Sequence, residues 1–208
     1  MFVLAGCVPA QVQNVAAAGP VAVFLGDSYT QAGGLPEQQR WVTLASKELG
    51  WWPVNLGRGG TGYLGPVSGG NARNACGMDY CPSYAEMIAA AAAENPAIVV
   101  VSGGRNERHR WTDPEWANGV FGFYRQLRAA VPDADIYATS PMWDDDPAPG
   151  EMVFARAIVR VAVEDIGGVY VDLGEPLTGR PELVAADGVH PNADGHQAIA
   201  VAFTAAVG

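Results

Sequence analysis

The feature that most constrains this chain is an alternation of short apolar runs with helical stretches along most of its length. Pro20–Leu25 (PVAVFL) and Ala97–Val101 (AIVVV) are apolar at every position. A strand of that kind must be buried on both faces, which is the environment of a parallel sheet covered by helices. Weaker runs at Trp52–Leu56, Asp135–Thr139 and Val169–Asp172 bring the set to five. Helices are expected over about Gln39–Leu49, closed by Gly50, over about Ser83–Ala93 after a long Gly-rich loop, and from Pro114 to about Ala130, with Asp113 as N-cap. Two more are expected over about Glu151–Asp165 and Ala193–Ala206. The pattern predicts an α/β fold of three layers, α/β/α, around a five-stranded parallel sheet in the flavodoxin-like order 2-1-3-4-5. Ligands of such sheets bind beyond the carboxyl ends of the strands.

A length of 208 residues suits one domain, assigned to residues 20–208. Twelve basic against 22 acidic residues give a net charge of −10, and the first basic residue is Arg40. Without a basic stripe, nucleic acid is excluded as a partner and an anionic membrane surface is disfavoured. No apolar run is long enough to span a bilayer; the best, Met87–Ala93, stops at Glu94-Asn95-Pro96.

Residues 1–19 are uncharged and aperiodic, and are read as a tether or the remnant of a signal. Leu4-Ala5-Gly6-Cys7 is similar to a lipobox, which makes Cys7 a candidate lipid anchor. The basic and apolar regions of a full signal are missing from the stretch, so the sequence begins inside a longer precursor or the match is chance. Cys76 and Cys81 stand in a loop rich in Gly, Asn and Pro, at a spacing that does not match zinc ligation. They read as a local disulfide or as two free thiols in a reducing cytoplasm. One lipidated Cys and one bridge would use all three cysteines, and both point outside the cytoplasm, to a secreted or anchored protein.

Four loops carry the residues that can do chemistry. After the first strand comes Gly26-Asp27-Ser28-Tyr29-Thr30; after the second, Asn55 to Gly62; after the third, Gly103 to Glu107; and before the last helix, Asp187-Gly188-Val189-His190-Pro191. Nucleophilic catalysis by serine needs a hydroxyl, an imidazole base, a carboxylate to orient it and donors for the oxyanion. Ser28 lies at a strand-to-helix turn, where a hydroxyl is exposed and a helix amino end favours negative charge. His190 is the natural base, and Asp187, three residues earlier, can reach its Nδ1–H. Asn106 offers an amide, and Ser28 and Gly60 offer backbone N–H groups.

These blocks resemble those of the SGNH hydrolase superfamily, the GDSL esterases and lipases. GDSY at 26–29 resembles the GDS(L) block, Asn55 with Gly60 the second, Gly104-Arg105-Asn106-Glu107 the third and Asp187-x-x-His190 the last. The resemblance spans residue 21 to about 205. It implies a catalytic triad of Ser28, His190 and Asp187, an oxyanion hole of Ser28, Gly60 and Asn106, and no metal or organic cofactor. Two positions depart from the pattern. Tyr29 replaces Leu, and Glu107 replaces an Asp, which leaves the placement of Asn106 open.

Single features of the chain also carry other readings. Gly57–Gly62 spells a dinucleotide fingerprint, but no helix follows it within a compact βαβ unit. The elbow of α/β-hydrolases is absent around Ser28. His196 is expected to begin the last helix and His109 to sit on a rim. Asp144-Asp145-Asp146 reads as a solvated loop tip. Asp27, Trp111 and Trp143 are expected to contact substrate, and Trp116 to pack in a helix. The expected reaction is hydrolysis of short acyl esters, acetyl foremost, on small molecules or glycans. The alternatives are acyl transfer by the same triad, a lysophospholipase or thioesterase, and a silent glycan-binding module.

Overall fold

The computed structural model of the chain describes residues 19–208. The Cys7 anchor and the tether, up to residue 18, lie outside the described residues. In chain order the elements are β1 (Val21–Gly26), α1 (Ser28–Gln31), α2 (Trp41–Leu49), β2 (Trp52–Asn55), β3 (Val67–Ser68), α3 (Gly70–Cys76) and β4 (Tyr80–Cys81). They continue with α4 (Ile88–Ala93), β5 (Ile98–Ser102), α5 (Pro114–Ala130), β6 (Asp135–Thr139), α6 (Met152–Asp165), β7 (Val169–Val171) and α7 (Ala193–Val207).

Five strands form one parallel sheet in the order β2-β1-β5-β6-β7, the sequence-predicted order once the small hairpin is set aside. The apolar runs are explained by where alternate residues go. Val23 and Leu25 of β1, with Val99 and Val101 of β5, enter a core closed by α4, α5 and α6. Ala22 and Phe24, with Ile98 and Val100, enter a second core closed by α2 and α7. Both faces are therefore dry, and every residue of β5 is buried. Asp113 caps α5 by accepting from the Glu115 N–H at 2.9 Å, and Asn192 caps α7 by accepting from Asp194 and Gly195.

Two local expectations need correction. The segment from residue 63 to 82 is not a plain loop: β3 and β4 pair antiparallel, and α3 between them is tied to β4 by a Cys76–Cys81 disulfide. These elements are too short to leave a periodic signal, and the crosslink holds what periodicity does not. The helix expected from Ser83 is a 3-10 turn at Ala85–Met87 followed by α4. Its start is set by a reciprocal pair, in which Glu86 Oε2 accepts from the Ser83 N–H at 2.8 Å and Ser83 Oγ accepts from the Glu86 N–H.

Candidate active site

Ser28 is the first residue of α1, immediately beyond β1. Asp27 caps that turn by accepting from the Tyr29 N–H at 3.0 Å. Because α1 spans four residues, the dipole of a long helix is not available at Ser28. What the turn supplies is a free N–H: among the described residues, the backbone N–H groups of Ser28 and Gly60 have no hydrogen-bond partner. Gly60 holds φ at +75°, in the left-handed region that favours glycine.

The loop that carries Gly60 is pinned from three sides. Asn55, at the end of β2, donates to the Thr30 carbonyl at 2.7 Å and accepts from the Gly57 N–H at 2.9 Å. The glycines of the apparent dinucleotide fingerprint mark close approaches instead. A Cβ at Gly57 would stand 2.4 Å from the Gln31 nitrogen, at Gly59 1.9 Å from the Ala75 carbonyl, and at Gly62 2.4 Å from the Glu107 carboxyl carbon. Glu107 is 4% exposed, and its carboxylate accepts from the N–H groups of Tyr63 and Leu64 and from the Trp116 indole, at 2.8 to 3.0 Å. It thus fastens the glycine loop to α5. Its neighbour Asn106 donates to the Thr61 carbonyl at 3.0 Å, which leaves one amide hydrogen unused.

The last loop completes the arrangement. His190 Nε2 lies 3.0 Å from Ser28 Oγ, and His190 Nδ1 lies 2.7 Å from Asp187 Oδ2. Asp187 Oδ1 accepts from the N–H groups of Val189 and His190, both at 3.0 Å. The His190 backbone N–H, then its ring, then the Val189 N–H pull the Asp187 pKa down to about 2, so the carboxylate stays charged. Ser28, Gly60, Asn106 and His190 all border one cleft of about 390 Å³, together with Arg105, Arg108 and Trp143. A second cleft of about 600 Å³ meets the first at Ser28 and His190 and is lined by Gln31, Asp187 and Asn192, among others.

A hydroxyl, imidazole and carboxylate in this order can generate a nucleophile, and free N–H groups beside it can hold an oxyanion. A family pattern, the GDSL-like lipase/acylhydrolase family, matches residues 24–198. The chain belongs to this family. A GDSL lipase of Mycobacterium tuberculosis is 32% identical over 192 residues, covering 87% of this chain and 78% of the relative. The fold is shared with the psychrotrophic esterase EstA of a Pseudoalteromonas species, at TM-score 0.69 and 16% identity, over 90% of this chain and 96% of that one. It is shared also with Axe2, an acetylxylan esterase of Geobacillus stearothermophilus, at TM-score 0.60 and 21% identity, over 92% and 95%. The chain is thus an esterase of the SGNH/GDSL class, and its sheet is that of the SGNH hydrolases.

Within this GDSL-family esterase, other anticipated residues fall elsewhere. Asp27 is 1% exposed and turned inward, and burial raises its pKa to about 6; it caps α1 and does not border the cleft. Trp143 borders the cleft, whereas Trp111 is 1% exposed behind it, edge-on at 6.2 Å, with its indole N–H on the Gly104 carbonyl. Trp116 packs inside α5, as read from the sequence. His196 lies in the first turns of α7 and His109 is exposed away from the cleft lining. Asp144 is not part of a solvated tip: it is 7% exposed and bonds Arg105 at 2.8 Å. Arg105 itself escaped the sequence reading, although its place between Gly104 and Asn106 put it in the third block. Among the described residues no cluster of three or more His, Cys, Asp or Glu is poised to hold a metal ion. No helix among them is long and apolar enough to cross a membrane.

Proposed function

We propose that the chain is a serine carboxylester hydrolase that removes short acyl groups, acetyl foremost, from alcohols that include carbohydrate hydroxyls. The observation that carries this reading is the unbroken series Asp187–His190–Ser28, at 2.7 and 3.0 Å, opening on a cleft where Gly60 and Asn106 also stand. Ser28 Oγ attacks the ester carbonyl as His190 Nε2 takes its proton, with Asp187 fixing the tautomer and stabilising the imidazolium. The N–H groups of Ser28 and Gly60 and the free hydrogen of the Asn106 amide receive the developing oxyanion. His190 returns the proton to the leaving alcohol, and then activates the water that releases the acyl group.

Trp143 and Arg105, the latter held from behind by Asp144, wall the cleft that holds the oxyanion donors, which supports a short acyl group there. The larger cleft offers Gln31 and Asn74 to a polar alcohol, and the name of one structural neighbour, acetylxylan esterase, agrees with that preference. The Cys76–Cys81 disulfide supports a site of action outside the reducing cytoplasm, with Cys7 as a candidate lipid anchor there. A series of p-nitrophenyl esters from acetate to dodecanoate, run beside acetylated xylan and a lysophospholipid, tests the reading. The expected result is turnover that falls beyond butyrate, with acetate released from xylan. Preference for long chains or for the lysophospholipid would contradict it.

A further inference from the structure

Tyr29 stands where the GDS(L) block carries Leu, and its hydroxyl does something that Leu cannot. It donates to the Val189 carbonyl at 2.5 Å and accepts from Arg105 Nη1. The loop tip from 185 to 190, which carries Asp187 and His190, is otherwise held by bonds internal to it. Ala185 N–H donates to the His190 carbonyl, Gly188 N–H to the Ala185 carbonyl, and the Val189 and His190 N–H groups to Asp187. Among the described residues the tip has two hydrogen bonds to the rest of the chain: His190 to Ser28, and Tyr29 to Val189. The first is broken and remade in every turnover. The second takes no part in proton transfer and can persist through it.

We propose that Tyr29 is a positioning residue: its hydroxyl clamps the His190 loop to the turn that bears Ser28 and keeps imidazole and nucleophile in register. This rests on the reading of Ser28 and His190 as the reacting pair. The tie is short, since Tyr29 follows Ser28 directly and Val189 precedes His190 directly. The clamp is braced in turn. The Arg105 guanidinium lies 4.7 Å from the centre of the Tyr29 ring and 4.4 Å from that of Trp143, and bonds Asp144 at 2.8 Å. The loops beyond β6, β5 and β1 are thus linked in series, Asp144 to Arg105 to Tyr29, and the series ends on the backbone carbonyl next to the base. Burial raises the Tyr29 pKa, so the phenol stays protonated and remains a donor. The clamp matters because the base is not enclosed: the side chains of His190 and Asp187 are 45% and 52% exposed. The packing on the base is slight, the Tyr29 ring standing 6.1 Å from the His190 ring, and a misplacement of an ångström costs up to about a hundredfold in rate.

The test is Tyr29→Phe, which keeps the ring and removes the hydroxyl, assayed with p-nitrophenyl acetate and a fluorophosphonate. The expected result is a fall of about tenfold both in kcat and in the rate of Ser28 labelling, with KM within about twofold and melting temperature nearly unchanged. A kcat and labelling rate equal to wild type would overturn the proposal, as would a loss confined to KM. Should Tyr29→Phe fail to fold, Asp144→Ala takes its place: removing the acceptor of Arg105 releases the brace and should lower kcat about threefold with KM unchanged, and a wild-type kcat overturns the clamp. Ser28→Ala runs alongside. Activity retained there would bring down the reacting pair itself, whereas an inert Ser28→Ala with an unaffected Tyr29→Phe would remove the clamp alone.

Discussion

Asn106 commits one amide hydrogen to the Thr61 carbonyl, and the other, which is unused, is proposed to face a substrate oxyanion. Such a donor acts on the transition state more than on the bound ester, so Asn106→Ala should lower kcat by about 10²–10³, with KM little changed in steady-state kinetics. A second contrast concerns the two tryptophans. Trp143→Ala should raise KM or shift acyl preference, because that ring borders the cleft. Trp111→Ala should instead cost about 3–5 kcal/mol in denaturant unfolding, because it empties a buried volume and orphans the Gly104 carbonyl. The sequence separates these cases poorly. Ser28, Asn106, Asp187 and His190 could be singled out because the proposed chemistry demands those types in those loops, and the structure brings the four loops together. Asp27, Trp111 and Asp144 lie next to the same blocks, yet whether each faces cleft or interior is decided by packing from β5, α5 and the β6–α6 loop. A carboxylate or an indole looks alike in either position.

At the level of elements, α3 is the least conventional part of the site. It is short, with two Asn and two Ala among its seven residues, and it lends Asn74 and Ala75 to both clefts. Its place is fixed by the Cys76–Cys81 bond and by contact of Ala75 with Gly59 and Gly60. By chain-entropy scaling a ring this small contributes less than about 3 kcal/mol to global stability. Reduction, or Cys76→Ser with Cys81→Ser, should therefore lower the melting temperature by a few degrees while raising KM more than it lowers kcat. Unchanged KM in the reduced protein would show that α3 does not shape the clefts. The contrast with the main sheet shows what periodicity can carry. β1 and β5 are continuous apolar runs because they are dry on both faces, and α5 announces itself by Asp113-Pro114. The excursion from 63 to 82 is held by a covalent bond, a two-residue ladder and glycine contacts, none of which leaves a period in the sequence.

For the molecule as a whole, two buried groups set opposing responses to pH. Burial raises the Asp27 pKa to about 6, so between about pH 4 and 6 the native state binds the extra proton and stability falls as pH rises. Burial, with Arg40 and His190 nearby, lowers the His196 pKa to about 4, so between about pH 4 and 6.5 the unfolded state binds the extra proton and stability rises with pH. Each is worth at most about 3 kcal/mol and they offset each other. Asp27→Asn should leave a stability that climbs between pH 4 and 7, and His196→Asn one that declines, both read by thermal denaturation at stepped pH. Parallel curves for the two variants would refute the pairing. The sheet holds Ser28 and His190, the proposed reacting groups, at loops separated by 162 residues, and the most direct test asks whether they act together. Wild type and Ser28→Ala are compared for p-nitrophenyl acetate hydrolysis and for the site of fluorophosphonate attachment by mass spectrometry. The expected result is a single adduct on Ser28 and a loss of about a millionfold in turnover without it, with the fold intact. Hydrolysis by Ser28→Ala at the wild-type rate, or an adduct on another residue, would contradict it.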